Sequence, residues 1–225
     1  MTIKMTRITR SLPTILLTGF DPFGGATINP AWEAVRTFDG RRIAGHRIVA
    51  RQLPTEFAGS LRVLKQAMRE LSPVIVLGVG QAGGRSQLSI ERVAINVQDA
   101  RIPDNAGQQP VDEPVIADAP AAYFSTLPIK AMLAALHADG LPAEISQTAG
   151  TYVCNHIAYA MLHLASKKRG VRAGFMHIPY MPEQAAAIPG AASMALDDVI
   201  RGLQLAVATA IATEVDRKLQ AGALS

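Results

Sequence analysis

The segment Thr148-Ala149-Gly150-Thr151-Tyr152-Val153-Cys154-Asn155 holds the only cysteine in a chain of 225 residues. The pattern predicts a strand before it and a helix after it, with Ile157, Met161, Leu164 and Ala165 on one apolar face, so Cys154 stands at a helix start. Unpaired backbone N–H groups and the positive end of the helix dipole favour a thiolate there. The same N–H groups can receive an oxyanion developing on an attacked carbonyl. A free cysteine is more often an inert filler of the core, so the thiol needs a base before it has chemistry to do.

Gly174-Phe175-Met176-His177-Ile178-Pro179-Tyr180 supplies one, an imidazole near the end of a predicted strand that Pro179 terminates. Sites in open α/β sheets form beyond the carboxyl ends of strands. Cys154 follows one such end and His177 lies at the next. Strand alternation over Leu88 to Val97 puts Glu91 on the face of Val93, Ile95 and Val97, where a carboxylate needs a partner and could orient an imidazole. A core histidine and a solvated strand-end glutamate are the plain alternatives. His156 and His163 lie two turns apart on one helix with no further ligand and read as structural or surface residues.

Gly19-Phe20-Asp21-Pro22-Phe23-Gly24-Gly25 sets two large aromatics in a glycine-rich loop, either walling a small apolar pocket or tucking back into the core. Gly78-Val79-Gly80-Gln81-Ala82-Gly83 fits the spacing of a dinucleotide-binding fingerprint. That motif needs a helix immediately afterwards, and Arg85 to Asn96 reads as strand, which counts against it.

Around these residues, apolar blocks rich in Ile and Val alternate with helical segments, the pattern of a single-domain α/β fold with an open, twisted, mostly parallel sheet and helices on both faces. Strands are predicted near 15–18, 47–53, 74–79, 88–97, 144–147 and 171–178. Helices are predicted over 30–37, 56–71, 127–138, 155–169 and 193–219. Residues 98–122 carry four prolines among polar residues and form a long loop, a lid or a disordered insertion. The apolar stretch 203–211 suits a core or an interface equally.

A hydrophobic content of 49% allows a sizeable core, and a net charge of +4 scattered along the chain forms no stripe for nucleic acid. No apolar run approaches the roughly 18 residues of a membrane span. Residues 1–14, basic at Lys4, Arg7 and Arg10, read as a flexible extension before a domain over 15–225, and the protein is expected in the cytoplasm.

Several blocks carry a further resemblance: Thr18-Gly19-Phe20-Asp21-Pro22-Phe23, Gly83-Gly84-Arg85, Glu91-Arg92-Val93-Ala94-Ile95-Asn96, Asp99-Ala100-Arg101-Ile102-Pro103-Asp104-Asn105, Gly150-Thr151-Tyr152-Val153-Cys154-Asn155 and His177-Ile178-Pro179. In this order, from about Ile15 to the final helix, the chain resembles the pyroglutamyl peptidase I, or pyrrolidone carboxyl peptidase, family of cysteine peptidases. The resemblance implies removal of an N-terminal pyroglutamyl group from peptides through a thioester. Cys154 would be the nucleophile, His177 the base and acid, Glu91 its support, and Arg101 an oxyanion ligand. Phe20 and Phe23 would sandwich the lactam, with Gln81, Tyr152 and Val153 completing the pocket. Tyr152 stands where some members carry Phe. No cofactor or metal is implied, and a homo-oligomer, a tetramer, is. A nucleotide-binding module and an interaction protein with a structural thiol are the competing classes.

Overall fold

The computed structural model describes residues 12–222, so most of the expected N-terminal extension, residues 1–11, lies outside the described residues. In chain order the elements are β1 (Thr14–Phe20), α1 (Pro30–Arg36), β2 (Arg42–Ile43), β3 (His46–Leu53), α2 (Phe57–Leu71), β4 (Ile75–Gln81), β5 (Leu88–Glu91), β6 (Val93–Ile95), β7 (Ala122–Phe124), α3 (Ile129–Ala138), β8 (Ala143–Ser146), α4 (Val153–Ser166), β9 (Arg172–Ile178), α5 (Pro182–Ala185) and α6 (Leu196–Ala212).

Seven strands form one sheet in the order β2-β3-β1-β4-β9-β5-β8, parallel except at the β2/β3 and β9/β5 pairs. Its central strands are apolar on both faces because helices cover both. In β1, Ile15 and Leu17 join a core with side chains of α1, α3 and α6, while Leu16 between them joins a second core with α2 and α4. Leu203, Ala206, Val207 and Ala210 of α6 are buried in the first of these, which assigns the 203–211 stretch to the core.

Local chemistry sets the ends. Asn29 accepts the Ala31 N–H at 3.0 Å and Pro30 opens α1. Helix α3 has no capping side chain of its own. Asp216, from the segment after α6, accepts the Lys130 and Ala131 N–H groups, both at 3.0 Å. This explains why α6 stops at Ala212 and does not run on to 219: Thr213 turns extended, and the tail is spent on capping α3 and on accepting a bond from Arg92 Nη2 at the Ala221 carbonyl, 3.1 Å.

Two expectations need correction. The strand expected over 88–97 breaks after Glu91, and Val93 to Ile95 pair with β7 in a separate two-stranded sheet. The partner runs out: β8 ends at Ser146, opposite Glu91. Glu91 therefore shares no continuous face with Val93 and Ile95, although its burial holds. Nor do Cys154 and His177 follow neighbouring carboxyl ends, because β8 runs parallel to β5 and hence against β9. Segment 147–152 carries the chain from the end of β8 into α4.

The 98–122 loop is irregular but fastened. Gln98 and Glu113 bridge antiparallel to one another. Asp104, 6% exposed, accepts the Ala106 and Gln108 N–H groups with Oδ1 and the Phe57 N–H at the start of α2 with Oδ2. Asn105 donates to the Pro22 carbonyl at 2.9 Å. The disordered alternative fails on these bonds, and they tie the loop to the chain that bears Phe20 and Phe23.

Candidate active site

Helix α4 opens at Tyr152, whose carbonyl accepts the first intrahelical bond, from His156 N–H. The N–H groups of Val153, Cys154 and Asn155 precede that bond and have no acceptor within the helix. Asn155, fully buried, fixes the helix start: its Oδ1 accepts the Ile95 N–H, and its Nδ2 donates to the Ile95 and Val97 carbonyls. Cys154, next to it, is set down on the sheet at Gly80. A Cβ added to Gly80 would lie 2.8 Å from Cys154 Sγ. The strand partner of Gly80 is His177. Neighbouring strands lie about 4.7–4.9 Å apart, so Gly80, over which the sulfur rests, is one strand spacing from the histidine backbone.

His177 is 3% exposed and its ring meets Phe175 edge-on with centroids 5.1 Å apart. Its Nδ1 lies 2.7 Å from Glu91 Oε1. Glu91 is 2% exposed, and the same Oε1 accepts from Arg85 Nη1 at 2.7 Å. Arg85 Nη2 donates to the Thr148 carbonyl at 2.8 Å. With Nδ1–H donating to Glu91, Nε2 is the ring's basic nitrogen.

Electrostatics correct one expectation, that the helix start stabilises a resting thiolate. Burial pushes the Cys154 thiol up to about 12, the Glu91 charge adds to the rise, and Arg85 opposes it. Part of the residue reaches the surface, yet the sulfur itself rests among the sheet and Phe175. The rise from 9.0 amounts to about 4 kcal/mol against the thiolate, whereas a helix dipole supplies about 2 kcal/mol at best. Burial also lowers His177; the Glu91 hydrogen bond and charge pull the other way, and Arg85 adds to the lowering. The resting pair is therefore neutral thiol and neutral imidazole.

Beside this constellation opens a cleft of about 730 Å³, lined by Phe23, Gln81, Ile102, Tyr180, Gln184 and neighbours. Gln81, one residue beyond Gly80, accepts from Gln184 Nε2 at 3.1 Å. Phe23 meets the Tyr152 ring at 6.3 Å, and Tyr152 abuts Phe57 edge-on at 5.5 Å. Burial, Asp104 and Cys154 together push the Tyr152 hydroxyl up to about 12, so it stays protonated and donates to the Pro103 carbonyl at 3.1 Å, binding the loop. Phe20 is 2% exposed and packs on Phe175 at 6.3 Å, a place in the core beneath the site. Val153 is fully buried in the same cluster. Arg101 is exposed, next to the cleft-lining Ile102.

The glycine segment has a packing explanation. Side chains at Gly78 would meet Phe175 at 2.5 Å and Met161 at 2.7 Å, and at Gly80 the Cys154 sulfur, so these glycines let α4 approach β4. No helix follows β4 to face a phosphate. Among the described residues no group of three or more His, Cys, Asp and Glu side chains is placed to hold a metal ion. His156 and His163 are buried, the first against Gln98 and Phe57, the second bonded to the Tyr123 hydroxyl. Arg85, Asp104 and Asn105 were given no role from sequence. The available signal was a cation on a glycine turn between two strands and an Asp-Asn pair after a proline.

The model of a family described as pyroglutamyl peptidase matches residues 13–213. The pyrrolidone-carboxylate peptidase of Escherichia fergusonii is 58% identical over 212 residues, which covers 94% of this chain and 99% of that one. A crystal structure of pyroglutamyl peptidase I from Bacillus amyloliquefaciens superposes with a TM-score of 0.90 at 47% identity, covering 93% of this chain and 100% of that one. The pyrrolidone carboxyl peptidase of Thermococcus litoralis gives 0.87 at 38%, covering 89% and 94%.

Proposed function

The chain belongs to the pyroglutamyl peptidase family, and from that membership we propose how its residues perform the reaction. The protein is a cysteine hydrolase that removes the N-terminal pyroglutamyl group from peptides. In our reading Cys154 is the nucleophile, His177 the general base and acid, and Glu91 the support of the imidazole. What supports this most is one juxtaposition: the sulfur rests on Gly80, whose strand partner is the histidine that Glu91 holds at 2.7 Å.

Because the resting thiol is neutral, His177 Nε2 takes its proton as Sγ attacks the pyroglutamyl carbonyl. The tetrahedral oxygen is received by the free Cys154 N–H, with Arg101 turning in from the rim of the cleft as its second ligand. His177 then protonates the departing amine, leaving a thioester that water hydrolyses to free pyroglutamate. A lactam is compact and uncharged, and it asks for apolar walls with a few polar contacts. Phe23 and Tyr152 serve as walls and Gln81 as the polar contact, while Val153 and Phe20, buried in the core with Phe175, support the pocket from behind.

Hydrolysis of pyroglutamyl p-nitroanilide tests the reading. His177→Ala is expected to lose about 10²–10⁴-fold in kcat, the range for positioned proton transfer. Turnover by that variant at the native rate refutes the assignment. Arg101→Ala with unchanged kcat and kcat/KM removes Arg101 from the oxyanion site.

We further infer a cytoplasmic location, since a lone catalytic thiol survives best in a reducing compartment, and a homotetrameric assembly. Exposed Val111, Phe124 and Val215 supply apolar surface for contacts between copies. Cell fractionation and sedimentation analysis check these two points.

A further inference from the structure

Arg85 stands between the two halves of the site. It leaves the turn after β4, where Gly84 takes a φ of +87° that favours glycine. Its guanidinium divides, Nη1 to Glu91 Oε1 at 2.7 Å and Nη2 to the Thr148 carbonyl at 2.8 Å. The first acceptor is the oxygen that holds His177 Nδ1. The second belongs to segment 147–152, which leads into α4 and sets Cys154. Glu91 Oε2 is buried without a partner, so the whole support of this carboxylate falls on Oε1. A carboxylate this deep needs a compensating charge, and among the described residues Arg85 is its only ion-pair partner besides His177.

We propose that Arg85 is a positioning residue for the peptidase reaction: its planar fork registers Glu91, and through it His177, against the loop that delivers Cys154. This rests on the roles assigned above to Cys154, His177 and Glu91. A fork can span two acceptors in fixed geometry, which the single ammonium of a lysine cannot. The charged or titratable groups facing the Cys154 and His177 pair are Glu91 from β5, Arg85 from the turn after β4, and Tyr152 from the start of α4. Glu91 draws both members of the pair upward and Arg85 draws both downward. Loss of Arg85 leaves the carboxylate unopposed, so both limbs of the pH profile move to higher pH.

The test is steady-state hydrolysis of pyroglutamyl p-nitroanilide across pH by Arg85→Met and Arg85→Lys, with circular dichroism to establish folding. Arg85→Met is expected to lose about 100-fold in kcat with KM within about threefold, as for a misplaced catalytic group, and to move both limbs of kcat/KM to higher pH. Arg85→Lys is expected to return the limbs to their native positions while kcat stays about tenfold down, because charge is restored and the span is not. Native kcat in folded Arg85→Met overturns the proposal, as does a lowered kcat with unmoved limbs. If Arg85→Met does not fold, Arg85→Lys decides alone: native limbs with reduced kcat support the proposal, and native kcat overturns it. Native enzyme that is active while Cys154→Ala is dead keeps the assigned roles standing whatever Arg85 does; an active Cys154→Ala removes them.

Discussion

At the scale of single residues, the site is set by which charges and contacts burial permits. A cysteine at a helix start looks from sequence like a preformed thiolate. The structure reverses this, because the dipole is outweighed by burial of the sulfur and by the Glu91 carboxylate nearby. Cys154, His177 and Glu91 were each legible as residue types with a possible task, whereas Arg85 was not, since a turn arginine carries no signal of where its side chain ends. Gly80 was legible only as part of a misleading fingerprint. Its true constraint is the sulfur above it, and this makes it a probe of the nucleophile's position. Gly80→Ala is expected to cost at least about 10²-fold in kcat, the scale of a misplacement near 1 Å, because its methyl group would fall 2.8 Å from Sγ. The variant's kcat measures this, and near-native turnover would place the sulfur elsewhere.

At the scale of elements, regular periodicity was readable and pairing was not. The predicted segments at 47–53 and 171–178 correspond to β3 and β9 because a run of apolar residues between turn signals has few alternatives. The break at Arg92 was invisible, since it arises from the end of β8, a partner remote in sequence. That β5 and β8, parallel to each other, run against β9 was hidden for the same reason. The proline-rich loop was correctly read as irregular, but its anchorage depends on Asp104 reaching the Phe57 N–H across 47 positions of chain. Asp104→Ala is expected to destabilise the protein by about 1–2 kcal/mol, the cost of a lost helix cap. Urea unfolding measures it. Activity should fall with it, because Arg101, Ile102 and the Tyr152 contact at Pro103 all hang from this loop.

At the scale of the whole molecule, the fold class followed from alternation of strand and helix, and the two cores on opposite faces of the sheet bear it out. The same compactness buries histidines in their neutral form, which couples stability to pH. Burial, chiefly, lowers His156 from 6.5 to about 4, with Lys65 adding to the effect. A folded-state value below the unfolded one contributes stability that is complete above pH 6.5 and is lost as pH falls toward 4, worth about 3 kcal/mol for this group. Stability measured by urea unfolding is therefore expected to fall between pH 6.5 and 4, and less steeply in His156→Phe; equal slopes would contradict this.

The reaction as a whole depends on one thiol. Comparing the native protein with Cys154→Ala in cleavage of a pyroglutamyl peptide, both folded by circular dichroism, tests this most directly. Release of pyroglutamate by the native protein and its loss by at least about 10³-fold in the variant is the expected result for removal of a nucleophile. Release at comparable rates by both would contradict it.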